Sequence, residues 1–148
     1  MEVDVKSIFS KNLITISETS SLAEAETLMS NNKIRHLPVT NQTSNIVGIL
    51  SRTDFSALKH VEADLQNLKV KSFMSSPALA VANKTSVKTL VDIMMAKKIS
   101  SALVTDNNSI IGIVTTEDLL KLLDQNIELI KTAEKISVES IGPEGLLF

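Results

Sequence analysis

The chain contains no cysteine, no tryptophan and no tyrosine among its 148 residues. Without cysteine it cannot form disulfides, zinc–thiolate sites or a catalytic thiol. Only four phenylalanines occur, so few aromatic rings are available for the bases of a single-stranded nucleic acid to stack on. The formal charge of −2 also lacks the excess of basic residues that is typical of nucleic-acid binders. We therefore expect neither thiol chemistry nor a nucleic-acid partner.

Long apolar runs are missing as well. No window approaches the roughly 18 apolar residues of a membrane-spanning helix, and the opening MEVDVKSIF lacks the basic and apolar segments of a secretory signal. Only His36 and His60 could offer an imidazole, so a histidine-based metal site is not expected. Hydrophobic residues nevertheless make up 43% of the chain, enough for a core. We expect a soluble, cytoplasmic protein with no membrane contact, no bound metal and no required cofactor.

A seven-residue phrase occurs twice. Residues 48–54 read GILSRTD, and residues 112–118 read GIVTTED. The repeat is much longer than the phrase, because a shift of 65 positions aligns VKS at 5–7 with VKS at 70–72, and a shift of 64 then aligns the two phrases. The offset changes from 65 to 64 where NQTSN in the first repeat is equivalent to DNNS in the second. Both segments have the composition of turns, in which an insertion is tolerated. The chain is therefore a tandem repeat.

Each repeat carries the same predicted order of elements, β-α-β-β-α. Short apolar pieces at 13–16 and 79–82 come first. A segment with the helical spacing of apolar residues follows. Its candidate N-cap is Ser20 or Ser21 in the first unit and Thr85 or Ser86 in the second. Two strands joined by a polar turn come next, HLPVT with NIVGIL and SALVT with IIGIVT. A second helix then begins inside each phrase.

The boundaries follow from the repeat. We assign the first unit to residues 1–60, a linker to 61–69, the second unit to 70–125, and a helical extension with a tail to 126–148. The last helix is predicted to run from Thr116 to about Lys135. Segment 136–148 contains Gly and Pro, and it could pack on a partner subunit or remain a loose tail. The methionines are expected to fill the core, namely Met29, Met94 and Met95.

The two phrases, the order of elements and the openings VKSIFSKNLITI and VKSFMSSPALAV resemble the cystathionine-β-synthase (CBS) domain, here as a tandem pair, or Bateman module, over residues 3–124. The resemblance implies an α+β fold in which two β-α-β-β-α units pack through their sheets about a pseudo-twofold axis. It implies two clefts between the units, which in many members bind adenosine nucleotides. It also implies a homodimer, a flat disc of four CBS units.

The resemblance assigns residues to each cleft. The first, which we call the Asp54 cleft, would be formed by Ile49, Ser51, Arg52, Thr53, Asp54, Arg35, Leu79, Ala80, Ile99 and Ser100. The second, the Asp118 cleft, would be formed by Ile113, Thr115, Glu117, Asp118, Ile14, Thr15, Ile34 and Arg35. The two aspartates would hold the ribose, Ser51 and Thr115 would lie near phosphate, and apolar side chains would enclose the purine.

The same phrases have a simpler explanation. If Ser51 caps a helix, Asp54 falls at its third position, close to a capping box, and such a cap contributes about 1 kcal/mol without any ligand. A helix N-terminus also offers free N–H groups to a phosphate, and a carboxylate can accept hydrogen bonds from both hydroxyls of a ribose. Gly48 and Gly112 would let the backbone approach a ligand closely. Capping and binding both remain open here.

The units differ where a phosphate would lie. The first has Arg35, His36 and Arg52, whereas the second has Glu117 in place of Thr53. Because a carboxylate repels an anion, we expect the Asp54 cleft to be the better phosphate site. The lysines at 33, 97 and 98 are expected to belong to ordinary solvated faces.

The sequence shows no nucleophile with a base, no P-loop and no metal cluster, so we do not expect an enzyme. The function expected from the resemblance is a regulatory module that binds AMP, ADP or ATP, with S-adenosylmethionine and NADH as further candidates. Because no catalytic domain accompanies the repeats, an unidentified partner protein would be regulated in trans. The alternative is a dimerisation or protein-interaction module with vestigial clefts that bind nothing.

Overall fold

The computed structural model describes residues 2–58 and 61–132, and within them each repeat folds around its own three-stranded sheet. The first unit contains β1 (Ile16–Ser17), α1 (Leu22–Asn32), β2 (His36–Thr40), β3 (Ile46–Ser51) and a 3-10 helix (Arg52–Leu58). The second contains β4 (Ala80–Ala82), α2 (Val87–Lys97), β5 (Ser101–Asp106), β6 (Ser109–Thr115) and α3 (Thr116–Gln125). In each sheet the middle strand pairs in parallel with the first strand and antiparallel with the last. The predicted α+β fold of two units is confirmed.

The first helix of each unit begins at a serine. Ser21 Oγ accepts the Glu24 N–H over 3.1 Å while the Glu24 carboxylate accepts the Ser21 N–H over 3.2 Å, a complete capping box. Ser86 caps α2 by accepting the Thr89 N–H over 3.1 Å. Ser21 and Ser86 are therefore the N-caps, rather than Ser20 and Thr85.

The difference of one residue between the repeats falls in the hairpin turns. In the second unit, Asn107 and Asn108 connect β5 to β6 with φ angles of 47° and 65°, as a two-residue type I′ turn requires. In the first unit residues 41–45 make the connection, and the Asn41 side chain organises it by accepting the N–H groups of Thr43 and Asn45 over 3.0 Å. The insertion was correctly placed by composition.

Some elements differ from their predicted form. The helix predicted after the first phrase is a 3-10 helix, and β1 covers only the end of its predicted piece. The continuous helix predicted from Thr116 to Lys135 is interrupted at Asn126, whose side-chain amide donates to Leu122 O over 2.7 Å, and helix resumes over 127–132. The rest of that prediction and segment 136–148 lie outside the described residues. Met29 and Met94 are buried, but Met95 is 73% exposed, so its assignment to the core was wrong.

The opening segment of each unit, which begins at Val5 or Val70, packs in the core of the other unit. Val5 donates its N–H to Thr85 O over 2.9 Å and is fully buried in the core of the second unit. Reciprocally, Val70 donates to Ser20 O over 2.9 Å and is fully buried in the core of the first unit. Each unit therefore completes the core of the other, in a pattern that obeys the pseudo-twofold axis.

The glycine of each phrase lies where this exchange brings two backbones together. Ser75 pairs with Ile49, and Ser10 pairs with Ile113. A Cβ on Gly48 would lie 2.6 Å from Ser75 O, and one on Gly112 would lie 2.5 Å from the Phe9 ring. The predicted reason for these glycines, close approach to a ligand, is therefore wrong, because the neighbour is the exchanged segment.

A small third core holds the units together. It consists of Ile49 from β3, Leu103 from β5 and Ile113 from β6, with partly buried residues around it. Because this core is central and narrow, open space remains on its two sides, and these spaces are the clefts.

Candidate functional site

Two clefts lie between the units, with volumes of about 640 and 570 Å³. Both volumes fall in the range of roughly 300–1,000 Å³ that is usual for small-molecule sites. Ile49 lines the first cleft and Ile113 the second, so the central core forms a wall of each.

The larger is the Asp54 cleft. Its described lining includes eight of the ten predicted residues: Ile49, Ser51, Thr53, Asp54, Leu79, Ala80, Ile99 and Ser100. The first four come from the end of β3 and the turn after it, and the others come from the second unit. Aliphatic side chains thus face a carboxylate across the cleft.

The smaller is the Asp118 cleft. Its described lining includes seven of the eight predicted residues: Ile113, Thr115, Glu117, Asp118, Ile14, Ile34 and Arg35. Thr15 is not among them. In an extended segment successive side chains point to opposite sides, so the inclusion of Ile14 leaves Thr15 directed elsewhere.

Arg35 lines the Asp118 cleft as predicted, but the arginines predicted for the Asp54 cleft do not line it. Neither Arg52 nor Arg35 lines the Asp54 cleft. Ser51 and Thr53 line it, while Arg52 between them lines a separate cavity on the first unit. Arg35 lines the Asp118 cleft and that same separate cavity. The assignment of both guanidiniums to the Asp54 cleft was therefore wrong.

Each aspartate closes a turn through one carboxylate oxygen. Asp118 Oδ2 accepts the Thr115 N–H over 2.8 Å, and the Thr115 hydroxyl completes the capping box of α3. Asp54 Oδ2 accepts the Ser51 N–H over 2.7 Å. Among the described residues both carboxylates accept hydrogen bonds through Oδ2 alone, so Oδ1 keeps its capacity to accept from a ligand. Capping and binding are therefore compatible.

The surroundings of Asp54 disfavour its charge. Burial raises the pKa of the Asp54 carboxyl above the ordinary value of 3.8, and the hydrogen bond from the Ser51 backbone opposes that rise only in part. A half-buried carboxylate that lacks full compensation is a common property of functional sites. Donors from a ligand would stabilise the ionised form.

The charges do not favour the Asp54 cleft. Lys97 and Lys98 line it together with one carboxylate, Asp54. The Asp118 cleft is lined by three cations and two carboxylates: Lys33, Arg35, Lys121, Glu117 and Asp118. Each lining therefore has one formal positive charge in excess.

The expected repulsion by Glu117 is also reduced. Lys121, one helical turn later, forms an ion pair with it at 3.4 Å. Of the two clefts, only the Asp118 cleft is lined by an arginine, Arg35. The predicted preference for the Asp54 cleft rested on a wrong placement of Arg35 and Arg52.

The two clefts share a wall near the axis. His36 Nε2 and Ser100 Oγ are 2.8 Å apart and join the first unit to the second. Both residues line both clefts, as do Ser51 and Thr53. Burial lowers the pKa of His36, Arg35 lowers it further, and the carboxylates of the Asp118 cleft oppose this. The imidazole is therefore held in its neutral form, as a hydrogen-bonding bridge.

Sequence reasoning missed several lining residues. The Asp54 cleft also includes Ser75, Pro77, Ala78, Lys97, Lys98 and Ser101, and the Asp118 cleft also includes Ser10, Asn12, Lys33, Pro38, Thr116, Leu120 and Lys121. Five of these residues follow the two VKS openings, namely Ser10, Asn12, Ser75, Pro77 and Ala78, and the exchange of segments brings them to a cleft. Lys121 could have been found from its spacing of four residues after Glu117.

Within residues 2–58 and 61–132, no helix has the length and apolar character needed to cross a membrane. The same part of the chain contains no group of three or more metal-ligating side chains.

Comparison with known proteins identifies the repeat. The family model described as CBS domain matches twice, at residues 5–59 and 70–125. A CBS domain-containing protein of Dictyostelium discoideum is 30% identical, over 86% of this chain and 96% of that protein. The solved CBS domain pair of protein MJ0100, in complex with 5′-methylthioadenosine and S-adenosyl-L-methionine, is 26% identical with a TM-score of 0.74, and the match covers 85% of this chain and 99% of that one.

Curated relatives with enzyme names match only in part. Homoserine O-acetyltransferase of Methanocorpusculum labreanum is 31% identical over 78% of this chain, but the match covers 23% of that enzyme. The chain thus spans about a quarter of the length of such relatives.

Proposed function

The chain belongs to the CBS-domain family, and on that basis we propose that it is a regulatory module that binds an adenosine-containing ligand between its two units. Occupancy of a cleft would alter the packing of the units on the central core of Ile49, Leu103 and Ile113. A partner protein, regulated in trans, would respond to that change. In this proposal the protein itself catalyses no reaction.

One observation carries the proposal. In each cleft a carboxylate held by a backbone N–H lies on one wall, and aliphatic side chains from the other unit lie on the opposite wall. This arrangement suits a nucleoside, whose ribose offers two neighbouring donors and whose purine is flat and largely apolar. The adenosine compounds bound to the CBS pair of MJ0100 support the same ligand class.

The clefts differ in the ligand that they fit. The Asp118 cleft has Arg35, which can bind phosphate oxygens in a bidentate manner, so we assign AMP, ADP or ATP to it. The Asp54 cleft offers only lysines, Lys97 and Lys98, at exposed positions. It would accept AMP or an adenosine compound without phosphate, such as S-adenosylmethionine.

A ligand panel tests the proposal. Thermal unfolding and calorimetry would be measured with AMP, ADP, ATP, S-adenosylmethionine and NADH. A true ligand at about 100 times its dissociation constant should raise the free energy of unfolding by about 2.7 kcal/mol. If no compound of the panel stabilises the protein, the alternative of an interaction module with vestigial clefts is the better description.

A homodimer is part of the proposal. Four exposed apolar residues, spaced by three or four positions, form a stripe near the end of the described residues: Leu120, Leu123, Ile127 and Ile130. The stripe runs over α3 and the helical segment 127–132 beyond the interruption at Asn126, and exposed apolar stripes of this kind are typical of helical segments that pack on a partner. A second copy that packs through it would give the disc of four CBS units, and sedimentation velocity of the full chain and of a Leu123→Glu variant tests this. The variant should be monomeric.

A further inference from the structure

Both arginines of the chain, Arg35 and Arg52, line a third cavity of about 420 Å³ on the first unit. Glu26 of α1, Phe55 of the 3-10 helix and Leu65 of the following segment also line it. The pairing of β2 with β3 brings the arginines together, because the Arg52 N–H donates to Arg35 O over 2.8 Å. Both arginine residues of the protein therefore line this one cavity.

The fold does not require arginine at these positions. The equivalent residues of the second unit are Ser100 and Thr116, and they make the same backbone hydrogen bond, from Thr116 N–H to Ser100 O over 3.0 Å, without arginine. Two cationic side chains that line one cavity favour an anion inside it. Within the described residues neither Arg35 nor Arg52 forms a salt bridge. The pair is thus arranged for an anion from outside the protein.

We propose that this cavity, which lies beside the Asp118 cleft and shares Arg35 with it, is a further binding site for a small phosphate monoester with an apolar group. Planar guanidiniums bind phosphate oxygens in a bidentate manner, and a dianion would balance their two positive charges. Phe55 and Leu65 are partly buried against the core of the first unit and provide an apolar wall for the organic group. Glu26 is the one carboxylate among the described residues of the lining, and it suits a hydroxyl donor on the ligand.

The size of the cavity favours a small molecule. About 420 Å³ lies in the lower part of the range of roughly 300–1,000 Å³ that drug-sized ligands occupy. A phosphate that carries a single ring or a short alkyl group is small enough to enter such a space. Phenyl phosphate is therefore the appropriate probe.

The test uses the full chain and nitrogen-15 NMR. Because the chain has two arginines, the spectrum contains two arginine Nε–H signals, which the variants assign. Both signals should shift together on addition of phenyl phosphate and give one dissociation constant. Inorganic phosphate, which lacks the apolar group, should bind at least threefold more weakly.

Matched variants identify the site. Arg52→Thr installs the residue of the second unit, and it should weaken phenyl phosphate binding at least tenfold. Lys84→Thr is the control, because it removes the same charge and installs the residue that the first unit has at the equivalent position, Thr19. Its affinity should equal that of the unmodified protein. Arg52→Lys keeps the charge but loses the planar guanidinium. Its affinity for phenyl phosphate should lie between those of Arg52→Thr and Lys84→Thr.

Two results would overturn the proposal. A shift of the Arg35 signal alone would place the phosphate in the Asp118 cleft, which Arg35 also lines. Equal weakening by Arg52→Thr and Lys84→Thr would indicate unspecific attraction by charge. The double variant Asp54→Asn/Asp118→Asn should lose nucleotide and keep phenyl phosphate, so the two sites are judged separately.

Discussion

His36 of the first unit and Ser100 of the second are joined by a hydrogen bond of 2.8 Å, and this bond lies in the wall common to both clefts. It is not symmetric, because the residues equivalent to His36 and Ser100 are Ser101 and Arg35. The pseudo-twofold axis therefore does not extend to the side chains that separate the clefts.

The bridge should give the protein a dependence on pH. The folded pKa of His36 lies below the ordinary 6.5, so the stability that it contributes is present above pH 6.5 and is lost as the pH falls through the folded pKa. We expect His36→Gln, which can still bond to Ser100, to lose less stability than the unmodified protein between about pH 7.5 and pH 5. Thermal unfolding across this range measures the difference, and His60, present in both proteins, cancels. Parallel curves would contradict the assignment.

Asp54→Asn should separate stability from binding. The pKa of Asp54 is raised, so its contribution to stability is present at low pH and is lost as the pH rises through the folded value. At neutral pH the ionised carboxylate therefore opposes folding, whereas asparagine keeps an acceptor for the Ser51 N–H. We expect unchanged or higher stability in urea, with an affinity for the ligand of the Asp54 cleft at least about tenfold lower. An unchanged affinity for that ligand would mean that Asp54 acts only as a capping residue.

Thr115→Ala tests capping in the second phrase. It removes the N-cap of α3 and should lower the free energy of unfolding by about 1 kcal/mol, together with the affinity for a nucleotide in the Asp118 cleft. Thr115→Ser should restore both. The matched control is Ser21→Ala, which breaks an equivalent capping box that lines neither cleft. It should cost similar stability and leave affinity intact, and a loss of affinity in this control would show that destabilisation alone accounts for the effect.

Lys98→Gly should stabilise the protein and weaken phosphate binding in the Asp54 cleft. Lys98 ends α2 in the left-handed region with φ 54°, where glycine is preferred. We expect up to about 1 kcal/mol of added stability by chemical denaturation. Lys33→Gly repeats the change at the end of α1 and should instead affect the Asp118 cleft. Reduced stability in both variants would argue against strain at these positions.

Gly112→Ala should destabilise the protein more than Gly48→Ala. Both added methyl groups would meet a backbone oxygen, but the second neighbour of Gly112 is the Phe9 ring, whereas that of Gly48 is the flexible Met74 side chain. Overpacking typically costs about 1–3 kcal/mol, and the rigid ring places Gly112→Ala at the upper end. Urea unfolding compares the two variants. The reverse order would mean that the Phe9 segment yields more easily than the Met74 segment.

Much of the fold could be predicted from the sequence because each repeat supports the interpretation of the other. Two copies of a strand pattern, a serine cap and a turn leave little room for a chance match. The cleft lists followed from the resemblance, and most of their members line the clefts. Residues were missed or misplaced where their position depends on the direction of a side chain or on the exchange of segments, which the residue types do not indicate.

Arg52 shows one such cause. In an α-helix successive side chains are separated by about 100°, but in a 3-10 helix by about 120°. Within the 3-10 helix that begins inside the first phrase, Thr53 and Asp54 line the Asp54 cleft but Arg52 does not, and the phrase itself does not indicate which of its spacer residues faces the cleft. Val5 and Val70 show another. Both begin the same tripeptide, VKS, so nothing in the sequence indicates which core each of them enters.

The exchange of the opening segments makes each repeat depend on the other for its core. Since Val5 and Val70 perform the same task in opposite cores, a single repeat on its own would have an unfilled core and a free opening segment. Two identical single repeats could satisfy each other by a mutual exchange, as subunits with twofold symmetry do. Joining them in one polypeptide raises their effective concentration without any new contact. The chain therefore has the architecture of a homodimer joined in one polypeptide, and the unlike pair His36 and Ser100 marks a place where its halves differ.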